Sequence, residues 1–477
     1  MIAGETSRAA LLAAGERPLL YDMHGGVRTG SMLLDRVERL TATIASRKLT
    51  KRKIGLWYWN SFAAIEAFLA VEWLGATRVP VDPGSTPEEA KGIFDAVGVD
   101  TILTDSEHAA QLERDILLHD DEIVLEKSPG FVEFEVSPEA TLHLYPRMVS
   151  RGKLLAVPIS YGNWNAIMRV NESLYRTGGY GHNFNEQEEC FLTVQQVMHG
   201  TGLLGTFPFI LMGIPQVLID RFDSEQVLEA MIRHGVTTTF FVPGMLTRLV
   251  DLLDKMSEVP PLSLRRVLYG GATLALDDMR GALRTLGPVL VQVYGRLEAG
   301  WPITVLDIED HQSILGGNDE LGTSCGKRIC EVEVRLRPVD SLPNDEGELC
   351  VRSDMVVSEY ADPDGWCSLG DIGRIDELGH VYLLGRLDNM INTGSYHVYP
   401  SEIEETILDV QGVSEVMVVG EPDPVWGEKI TAYIVPSDIE TGEDISKRVR
   451  ASIGKRLAKY KIPKVFHVVD RLPLSEK

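Results

Sequence analysis

Residues whose types could carry chemistry are concentrated in two stretches of this 477-residue chain. VYGRLEAG (293–300) contains an aromatic residue, glycines and a glutamate, and WCSLGDIGRIDELGHVYLLGRLDNMINTGSYHVYPSEIEE (366–405) contains carboxylates and arginines at short intervals. Activation of a carboxylic acid by ATP would need residues of these kinds. It requires a cradle for the phosphates, a carboxylate for Mg²⁺, a group that holds the ribose, and a lysine for the charge that develops during the reaction.

The longer stretch is informative because of the order in which its short motifs follow one another. A Gly-Asp pair alone is a common turn, but here it is followed by a strand, a Gly-Arg-x-Asp turn, a glycine-bearing loop and a capped helix. This order resembles the hinge region of the adenylate-forming superfamily, which includes acyl- and aryl-CoA synthetases, peptide-synthetase adenylation domains and firefly luciferases. The resemblance implies that Asp371 accepts the ribose hydroxyls, with Arg386 beside it. It also implies that Asp388 is the hinge about which a C-terminal domain rotates between half-reactions.

VYGRLEAG resembles the Tyr-Gly-x-Thr-Glu segment of the same family, in which the ring lies beside the adenine and acyl group, the threonine touches phosphate and the glutamate binds Mg²⁺. Tyr294, Gly295 and Glu298 match, but Leu297 replaces the threonine, so one phosphate contact is missing. For this stretch alone, a strand that ends in a glycine turn with an exposed glutamate would be the default interpretation.

VLYGGATL (267–274) resembles the adenine-binding segment of the family and precedes VYGRLEAG, which favours a nucleotide-shaped site. Its small residues would leave space for a ring or a chain. The nucleotide-binding residues that the resemblance implies are Gly270, Gly271, Ala272, Tyr294, Gly295, Asp371 and Arg386.

VMHGTGLLGTFPFILMG (197–213) resembles the acyl- and aryl-acid branch, in which a histidine lines the acyl pocket. Met198 takes the place of an aromatic residue, and the aspartate that holds an α-amino group in amino-acid-activating relatives is not visible. His199 is therefore a candidate catalytic residue, with Glu298, although a histidine on an apolar face could equally be a satisfied core residue. The predicted substrate pocket consists of His199, Gly200, Gly271 and Tyr294.

The phosphate loop is the main departure from the family, which has a Ser/Thr/Gly-rich run that ends in Pro-Lys-Gly. This chain has HLYPRMVSRGKLLAVPISYGNWNAI (143–167) there. An ungapped alignment on 160–163 puts Leu155 at the lysine and Val149 at the first loop glycine. Because valine does not freely adopt positive φ, the nest of N–H groups that holds phosphate is predicted to be impaired.

A two-residue gap would instead restore Lys153 to the lysine position, and that alignment stays open. In either case Arg147, Arg151 and Lys153 leave positive charge nearby. These side chains either hold an anion in another way or belong to a solvated loop.

Two further lysines of the family have no match at their positions. Asn392 and Ser395 occupy the Lys and Gly places of the Ile-Lys-x-x-Gly loop, with Gly394 one place early, so the residues that serve thioester formation in the family do not match here. RLPLSEK resembles the start of the Leu-Pro-x-x-x-x-Gly-Lys ending, and the sequence stops two residues before the adenylation lysine. A trimmed C-terminus would explain this as well as evolution would, and Lys477 is the substitute candidate.

The charge balance argues against a nucleic-acid partner. Lys and Arg total 46 and Asp and Glu total 70, a formal net charge of −24, opposite in sign to the footprint of a duplex-binding protein. The eight Lys and Arg residues between 447 and 464 are typical of the solvated face of an amphipathic helix.

Nothing in the sequence indicates export, so a cytoplasmic location is predicted. The five scattered cysteines lack metal-ligand spacing and are interpreted as reduced, mostly structural thiols. The apolar stretch between Arg8 and Glu16 is too short for a signal-peptide core. Residues 190–219 lack charged side chains, but glycines and prolines interrupt the apolar pattern, which predicts a buried helix followed by a buried strand rather than a membrane span.

The hydrophobic pattern predicts an α/β fold. KIGLWYWNSFAAIEAFLAVEWLGATRVPVDP (53–83) alternates strand, helix and strand, which indicates a parallel sheet. Thr86 opens a helix with a capping box, and a helix is expected over 224–234. Further strands are expected in VDTILTD, TTTFFV, RRVLYGG, VLVQVYG, EVEVRLRPV, GELCVRS, GHVYLLG, GVSEVMVVG and KITAYIVP.

Two stacked α/β subdomains are therefore expected up to about residue 320, and a small β-rich subdomain over about 321–386. Together they would form an N-terminal AMP-binding-like domain, 1–386. A small mobile α+β domain, 387–477, would follow the hinge and include a helix from Ile445 to Tyr460.

The leading hypothesis is an acyl-CoA-synthetase-like ligase. It would activate a carboxylic acid without an α-amino group as an acyl adenylate, with ATP and Mg²⁺ held by Glu298, and transfer it to CoA, a carrier thiol or an amine. The rival is a non-adenylating relative that binds or transfers a pre-activated acyl group without ATP, or a scaffold. The altered phosphate loop, Leu297, Asn392 and Ser395 favour the rival.

Overall fold

The computed structural model describes residues 4–46, 52–99, 101–112, 116–118, 134–149, 153–181, 184–340, 342–389, 391–393, 396–423, 427–437, 442–454, 456–457 and 461–473. The chain divides into two compact units. The first unit comprises Met1–Val332 with Arg352–Gly365, and the second unit comprises Glu333–Val351 with Trp366–Lys477.

The first unit alternates helices and strands. Its helices are α1 (Glu5–Ala14), α2 (Gly30–Ser46), α3 (Phe62–Trp73), α4 (Pro87–Val97), α5 (Ser106–Ala109), α6 (Tyr161–Thr177), α7 (Gly200–Leu211), α8 (Ser224–His234), α9 (Pro243–Asp254), α10 (Leu276–Leu286) and α11 (Ile308–Leu315). Its strands are β1 (Pro18–Asp22), β2 (Val27–Thr29), β3 (Lys53–Trp57), β4 (Thr77–Pro80), β5 (Thr101–Thr104), β6 (Ile116–Leu118), β7 (Thr141–Val149), β8 (Lys153–Ser160), β9 (Phe191–Thr193), β10 (Gln216–Leu218), β11 (Thr238–Phe241), β12 (Arg266–Gly270), β13 (Leu290–Arg296), β14 (Gly300–Leu306) and β15 (Ser324–Arg328).

These strands form two sheets. The first sheet has the order β6-β5-β3-β4-β7-β8 and is parallel except for the β7–β8 hairpin. In the second sheet, β1, β10, β9, β11, β12 and β13 are parallel neighbours, and β2, β14 and β15 are antiparallel. Two predominantly parallel sheets with helices between successive strands confirm the predicted α/β class.

Burial explains why these segments fold as they do. Val267 and Leu290 of the second sheet pack with Leu249 of α9 and Leu283 of α10 in one fully or almost fully buried cluster. The parallel strands β11 and β12 are buried at every position, as expected for a sheet covered on both faces.

The second unit is smaller. Its strands are β16 (Glu333–Arg337), β17 (Glu346–Arg352), β18 (Cys367–Ile375), β19 (His380–Arg386), β20 (Ile391–Thr393), β21 (Tyr396–Val398), β22 (Val413–Asp423), β23 (Gly427–Pro436) and β24 (Val465–Val468), and its helices are α12 (Pro400–Leu408) and α13 (Gly442–Ile453). The strands β17, β18 and β19 form an antiparallel ladder. The strands from β20 onward form a second sheet whose core includes Ile403, Ile430 and Val449.

Several local predictions are confirmed. Helix α8 has the predicted bounds, and Asp223 caps it by accepting a hydrogen bond from the Gln226 N–H. Thr86 and Glu89 form the predicted capping box of α4, with Pro87 in the first turn. The five cysteines are described as thiols rather than disulfides, and all but Cys330 are buried.

Two local predictions are wrong. The segment 190–219 was expected to be a helix and a strand, but β9 precedes them, because three buried residues suffice for a strand between two parallel neighbours. Helix α13 ends at Ile453 rather than at Tyr460; Gly454 follows, residues 456–457 form a turn, and 458–460 lie outside the described residues. Among the described residues, every helix is too short or too polar to cross a membrane.

Candidate functional site

The predicted site residues of the first unit meet at one edge of the second sheet. Gly270 is the last residue of β12, Tyr294 and Gly295 lie near the end of β13, and His199 follows β9. The strands β9, β11, β12 and β13 are parallel, so their carboxyl ends share an edge. Open α/β sheets bind ligands at this edge.

The carboxyl ends of the first sheet face the same region. Buried Asn60, which follows β3, donates through Nδ2 to the carbonyl oxygens of Gln195 and Ile219, both at 3.0 Å. Its Oδ1 accepts from the Val197 N–H at 2.9 Å. One side chain therefore fixes the loop that leads from β9 to His199.

His199 lies at this junction as the N-cap residue of α7, and its side chain makes no cap hydrogen bond. Its Nε2 is 3.0 Å from Oδ2 of Asp82, and the two side chains are 43% and 50% exposed. The alternative interpretation of His199 as a satisfied core histidine is therefore wrong. The neighbouring Met198, in contrast to His199, is buried.

Glycines allow close approach of the backbone at the end of β12. A Cβ at Gly270 would lie 2.3 Å from the Val293 carbonyl oxygen, and Gly271 has a φ of +83°. Gly271 and Ala272 are exposed. A segment with such small side chains fits the predicted contact with an adenine or acyl group.

The turn between β13 and β14 carries Glu298. Its side chain is 8% exposed and its Oε1 accepts a hydrogen bond from Nε of Arg296 at 2.8 Å. The Glu298 carbonyl oxygen accepts from the Val357 N–H at 3.0 Å. The default interpretation of an exposed glutamate is therefore wrong, because Glu298 is buried and paired with a guanidinium.

Leu297 packs toward the start of α7. A Cβ built on Gly200 would lie 3.2 Å from Leu297 Cδ1. The residue that replaces the expected threonine thus places a methyl group beside the predicted substrate pocket, where a longer residue than Gly200 would crowd it.

The phosphate segment forms the β7–β8 hairpin. Its register pairs Val149 with Lys153 and Arg147 with Leu155, so these residues belong to paired strands rather than to a loop. Only three residues, 150–152, connect the strands, and they lie outside the described residues. Ser160 then caps α6 in a capping box with Asn163.

In the second unit, Asp371 and Arg386 are directly opposed in the β18–β19 ladder. Arg386 Nη1 donates to Asp371 Oδ1 at 3.1 Å and to the Leu369 carbonyl oxygen at 2.9 Å. Gly370, with a φ of +67°, makes room because a Cβ there would lie 2.9 Å from Arg386 Nη2. The structure therefore brings the two predicted ribose-binding residues together.

The predicted hinge and C-terminal residues have no described side chains. Asp388 lies in a 3₁₀ turn (Leu387–Asn389) and Asn392 in β20, without described side chains. Gly394, Ser395 and Lys477 lie outside the described residues.

Sequence reasoning missed Asn60, Asp82 and Arg296. A carboxylate directly after an apolar strand, as in VPVDP, was the available signal for Asp82. Arg296 ends β13 and Glu298 lies in the turn that follows, and no sequence pattern signalled their pairing.

Comparison with known families matches residues 8–146 and 150–361 to the AMP-binding enzyme family. Residues 402–477 match the C-terminal domain of AMP-binding enzymes. The first match is interrupted at 147–149, next to the short hairpin connection.

Three curated relatives illustrate the similarity. The chain is 31% identical over 304 residues to medium/long-chain-fatty-acid–CoA ligase FadD8 of Mycobacterium tuberculosis, covering 60% of this chain and 52% of the relative. It is 32% identical over 299 residues to 2-succinylbenzoate–CoA ligase of Bacillus licheniformis, covering 60% and 59%. The chain thus spans between half and three fifths of these two relatives. With the 2-succinylbenzoate–CoA ligase of Bacillus cereus it is 27% identical over 439 residues, covering 88% and 85%.

Solved structures share the fold. O-succinylbenzoate CoA synthetase (MenE) from Bacillus subtilis, in complex with the acyl-adenylate OSB-AMP, superposes with a TM-score of 0.84 at 25% identity, covering 100% of this chain and 96% of that one. The same enzyme in complex with ATP and magnesium ion gives 0.82 at 25% identity, covering 99% and 97%. Amide bond synthetase McbA from Marinactinospora thermotolerans also gives 0.82 at 25% identity, covering 99% and 97%.

Proposed function

The chain belongs to the family of AMP-binding enzymes, and from that premise we propose that it is an adenylate-forming ligase that joins a carboxylic acid to CoA. The observation that carries the proposal is the convergence of His199, Gly271, Tyr294 and Glu298 on the carboxyl-end edge of the parallel strands. A site at that edge fits a nucleotide and an acid bound side by side.

The proposed reaction has two steps. In the first, a carboxylate oxygen of the acid attacks the α-phosphorus of ATP; an O–P bond forms, the bond to the β-phosphate oxygen breaks, and pyrophosphate leaves. In the second, the CoA thiolate attacks the acyl carbonyl; a C–S bond forms and AMP leaves with one of the original carboxylate oxygens. The thiol proton passes to solvent or a base.

Each unit contributes assigned roles. In the first unit, Gly270, Gly271 and Ala272 accommodate the adenine or acyl group without side-chain obstruction, and Tyr294 lies beside them at the end of β13. In the second unit, Asp371 accepts hydrogen bonds from the ribose hydroxyls. Arg386 holds its carboxylate at 3.1 Å, because a charge-assisted hydrogen bond fixes both groups.

The acid is proposed to be apolar and to lack an α-amino group. Buried Met198 and half-buried Leu297 border His199 and Gly200, so the predicted pocket combines apolar surface with one imidazole. Curated relatives act on 2-succinylbenzoate and on medium- or long-chain fatty acids, which supports an aryl or fatty acid.

Glu298 is proposed to hold the Mg²⁺ that accompanies ATP, and the solved structure of MenE with ATP and magnesium ion supports this cofactor pair. Mg²⁺ in nucleotide sites is bound by one or two carboxylates plus phosphates. Here Glu298 is the predicted carboxylate, and its Oε1 lies 2.8 Å from Nε of Arg296.

One observation favours the rival without ATP. Val149, aligned with the first loop glycine of the family, and Leu155, aligned with its lysine, both belong to the paired strands β7 and β8. In that case the chain would transfer a pre-activated acyl group to a thiol, a carrier or an amine. McbA, a structural neighbour, is an amide bond synthetase, which keeps an amine acceptor among the candidates.

The two proposals differ in one product. Purified protein with ATP, CoA and a panel of aryl and fatty acids is expected to release pyrophosphate only when an accepted acid is present. Protein that makes no pyrophosphate with any acid, but exchanges acyl groups between preformed thioesters and other thiols, would support the rival instead. Coenzyme A is omitted in a parallel assay to separate the first step from the second.

A further inference from the structure

Two side chains at the start of α12 contact the end of strand β19. Ser401 Oγ donates a hydrogen bond to the Leu384 carbonyl oxygen at 3.1 Å. A Cβ at Gly385 would lie only 2.6 Å from Cδ1 of Tyr399, so the Tyr399 ring rests on a position that has no room for a side chain. The two contacts span Asp388, the predicted hinge, which lies between β19 and α12.

A bulge in the β18–β19 ladder makes the Leu384 carbonyl available. Leu383 and Gly385 pair with consecutive residues of β18, so Leu384 between them is the extra residue of the bulge. Such a residue is left outside the regular pairing of its strands. Leu384 can therefore direct its carbonyl oxygen to Ser401 without loss of a ladder hydrogen bond.

The hydroxyl of Tyr399 opposes the packing of its own ring. Its Oη is buried, and among the described residues it has no hydrogen-bond partner. Burial raises the pKa of the Tyr399 hydroxyl, and the charge of Glu346 on β17 raises it further. A buried polar group without a partner costs free energy, so the docked position of Tyr399 is less stable than its ring contact alone would make it.

Helix α12 is fixed to the sheet from β20 onward. Ile403 and Ile407 are buried in the same cluster as Ile430 of β23. Nζ of Lys461 contacts both carboxylate oxygens of Glu402, at 2.5 and 2.6 Å. A displacement of α12 relative to β19 would therefore carry the entire sheet from β20 onward with it.

We propose that the contacts of Ser401 with Leu384 and of Tyr399 with Gly385 form a latch, which holds the sheet from β20 onward in one orientation relative to β19. Rotation at Asp388 has to break both contacts. The buried hydroxyl of Tyr399 keeps the latch weak, so that two orientations stay populated. The inference rests on the proposed function, because a ligase with two successive steps is what would use two orientations.

Two variants that each remove one oxygen atom should shift the latch in opposite directions. Ser401→Ala removes the hydrogen bond to Leu384 and should favour the open latch by about threefold to tenfold, the usual effect of one neutral hydrogen bond. Tyr399→Phe removes only the buried hydroxyl and should favour the closed latch by about threefold or more. Hydrogen–deuterium exchange of β19 and α12 measures this without turnover. Exchange should be faster than in the wild type in Ser401→Ala and slower in Tyr399→Phe.

Ser414→Ala is the matched control. Ser414 Oγ donates to the Val435 carbonyl oxygen at 3.0 Å within the sheet from β20 onward, so the variant loses a hydrogen bond of the same kind without affecting the latch. Its exchange in β19 and α12 should equal that of the wild type.

A second readout compares the two steps of the proposed reaction. With an acid that the protein accepts, ATP–pyrophosphate exchange reports the first step, and thioester formation from preformed acyl adenylate reports the second. The ratio of the two rates should move in opposite directions in Ser401→Ala and Tyr399→Phe, and should not move in Ser414→Ala.

The outcomes separate the latch from the proposed function. Unaltered exchange in both latch variants, or an unaltered ratio of the two rates, would overturn the latch and leave adenylation standing. Absence of pyrophosphate release with every acid would overturn the proposed function, and the exchange measurement would still decide whether these contacts hold α12 on β19. If Ser401→Ala does not fold, Tyr399→Phe decides alone, since exchange as fast as in the wild type would contradict the latch.

Discussion

Nε2 of His199 lies 3.0 Å from Oδ2 of Asp82, although 116 intervening residues separate them in the sequence. Asp82 follows β4 of the first sheet, and His199 follows β9 of the second. Because both side chains are about half exposed, their contact contributes little stability. The contact instead orients the imidazole at the point where the carboxyl ends of the two sheets meet.

We expect His199→Ala to raise the KM for the carboxylic acid by about tenfold while the affinity for ATP changes by less than about threefold, because one well-placed contact is worth roughly 1–2 kcal/mol. Steady-state kinetics with varied acid, together with ATP titration, checks this. His24→Ala, at an exposed histidine, is the control. A change in ATP affinity with an unaltered KM for the acid would refute the pocket assignment.

Glu298→Gln is expected to lower AMP formation by at least about a hundredfold and to leave the melting temperature within a few degrees. The amide keeps the shape of the side chain but loses the charge that positions Arg296, an interaction worth about 1.5–3 kcal/mol between charged groups. The same result follows if Glu298 binds Mg²⁺ instead. Unchanged turnover would remove Glu298 from the site in either account.

Asp371→Asn tests the ribose contact. We expect ATP affinity to fall by about tenfold or more, because a neutral amide accepts hydroxyl hydrogen bonds less strongly than a carboxylate. Inorganic tripolyphosphate, which has no ribose, should bind the variant as well as the wild type. Equal losses for both ligands would show that Asp371 acts through the fold or the phosphates.

We expect the free energy of unfolding to fall at acidic pH because of His311. Burial lowers the pKa of His311 from 6.5 to about 4, and the ring contacts the Tyr269 hydroxyl at 2.9 Å. The native state holds the neutral ring, whereas the unfolded chain binds a proton at this histidine as pH falls below 6.5. The free energy of unfolding is therefore unaffected by this group above pH 6.5 and falls as pH drops from 6.5 toward 4.

The expected loss between pH 7 and pH 5 is about 2 kcal/mol, from about 1.4 kcal/mol per pH unit over the 1.5 units below 6.5. Urea unfolding of wild type and His311→Gln at both pH values measures it. Between pH 7 and pH 5 the free energy of unfolding of the variant should fall by about 2 kcal/mol less than that of the wild type. Equal losses in the two proteins would contradict the lowered pKa. His143, also buried and with a lowered pKa, contributes in the same direction to both.

Local signals predicted much of the fold. Both ends of helix α8 agree with the prediction, because Asp223 caps its start and Gly235 adopts the left-handed conformation that ends it. The alternation of strand and helix indicated parallel sheets, and the ladder that opposes Asp371 to Arg386 followed the family resemblance. The expected boundary near Asp388 stays a prediction.

Tertiary arrangement accounts for what the sequence did not reveal. Asn60 and Asp82 act on the loop after β9 only because two sheets present their carboxyl ends to each other, and no local pattern encodes that approach. The segment 143–167 was aligned with the family's phosphate loop and predicted to have an impaired phosphate nest, and no local pattern revealed that β7 and β8 pair as a hairpin. The pairing of Arg296 with Glu298 is likewise a property of the folded turn after β13, which no local pattern in VYGRLEAG signalled.

The most direct test of adenylation follows an oxygen atom. Protein is incubated with ATP, CoA and a carboxylic acid labelled with ¹⁸O in both carboxyl oxygens, and the AMP is analysed by mass spectrometry. Attack of the carboxylate on the α-phosphorus predicts AMP that carries one ¹⁸O, in an amount equal to the thioester formed. Thioester that accumulates with unlabelled AMP, or with no AMP at all, would contradict the account.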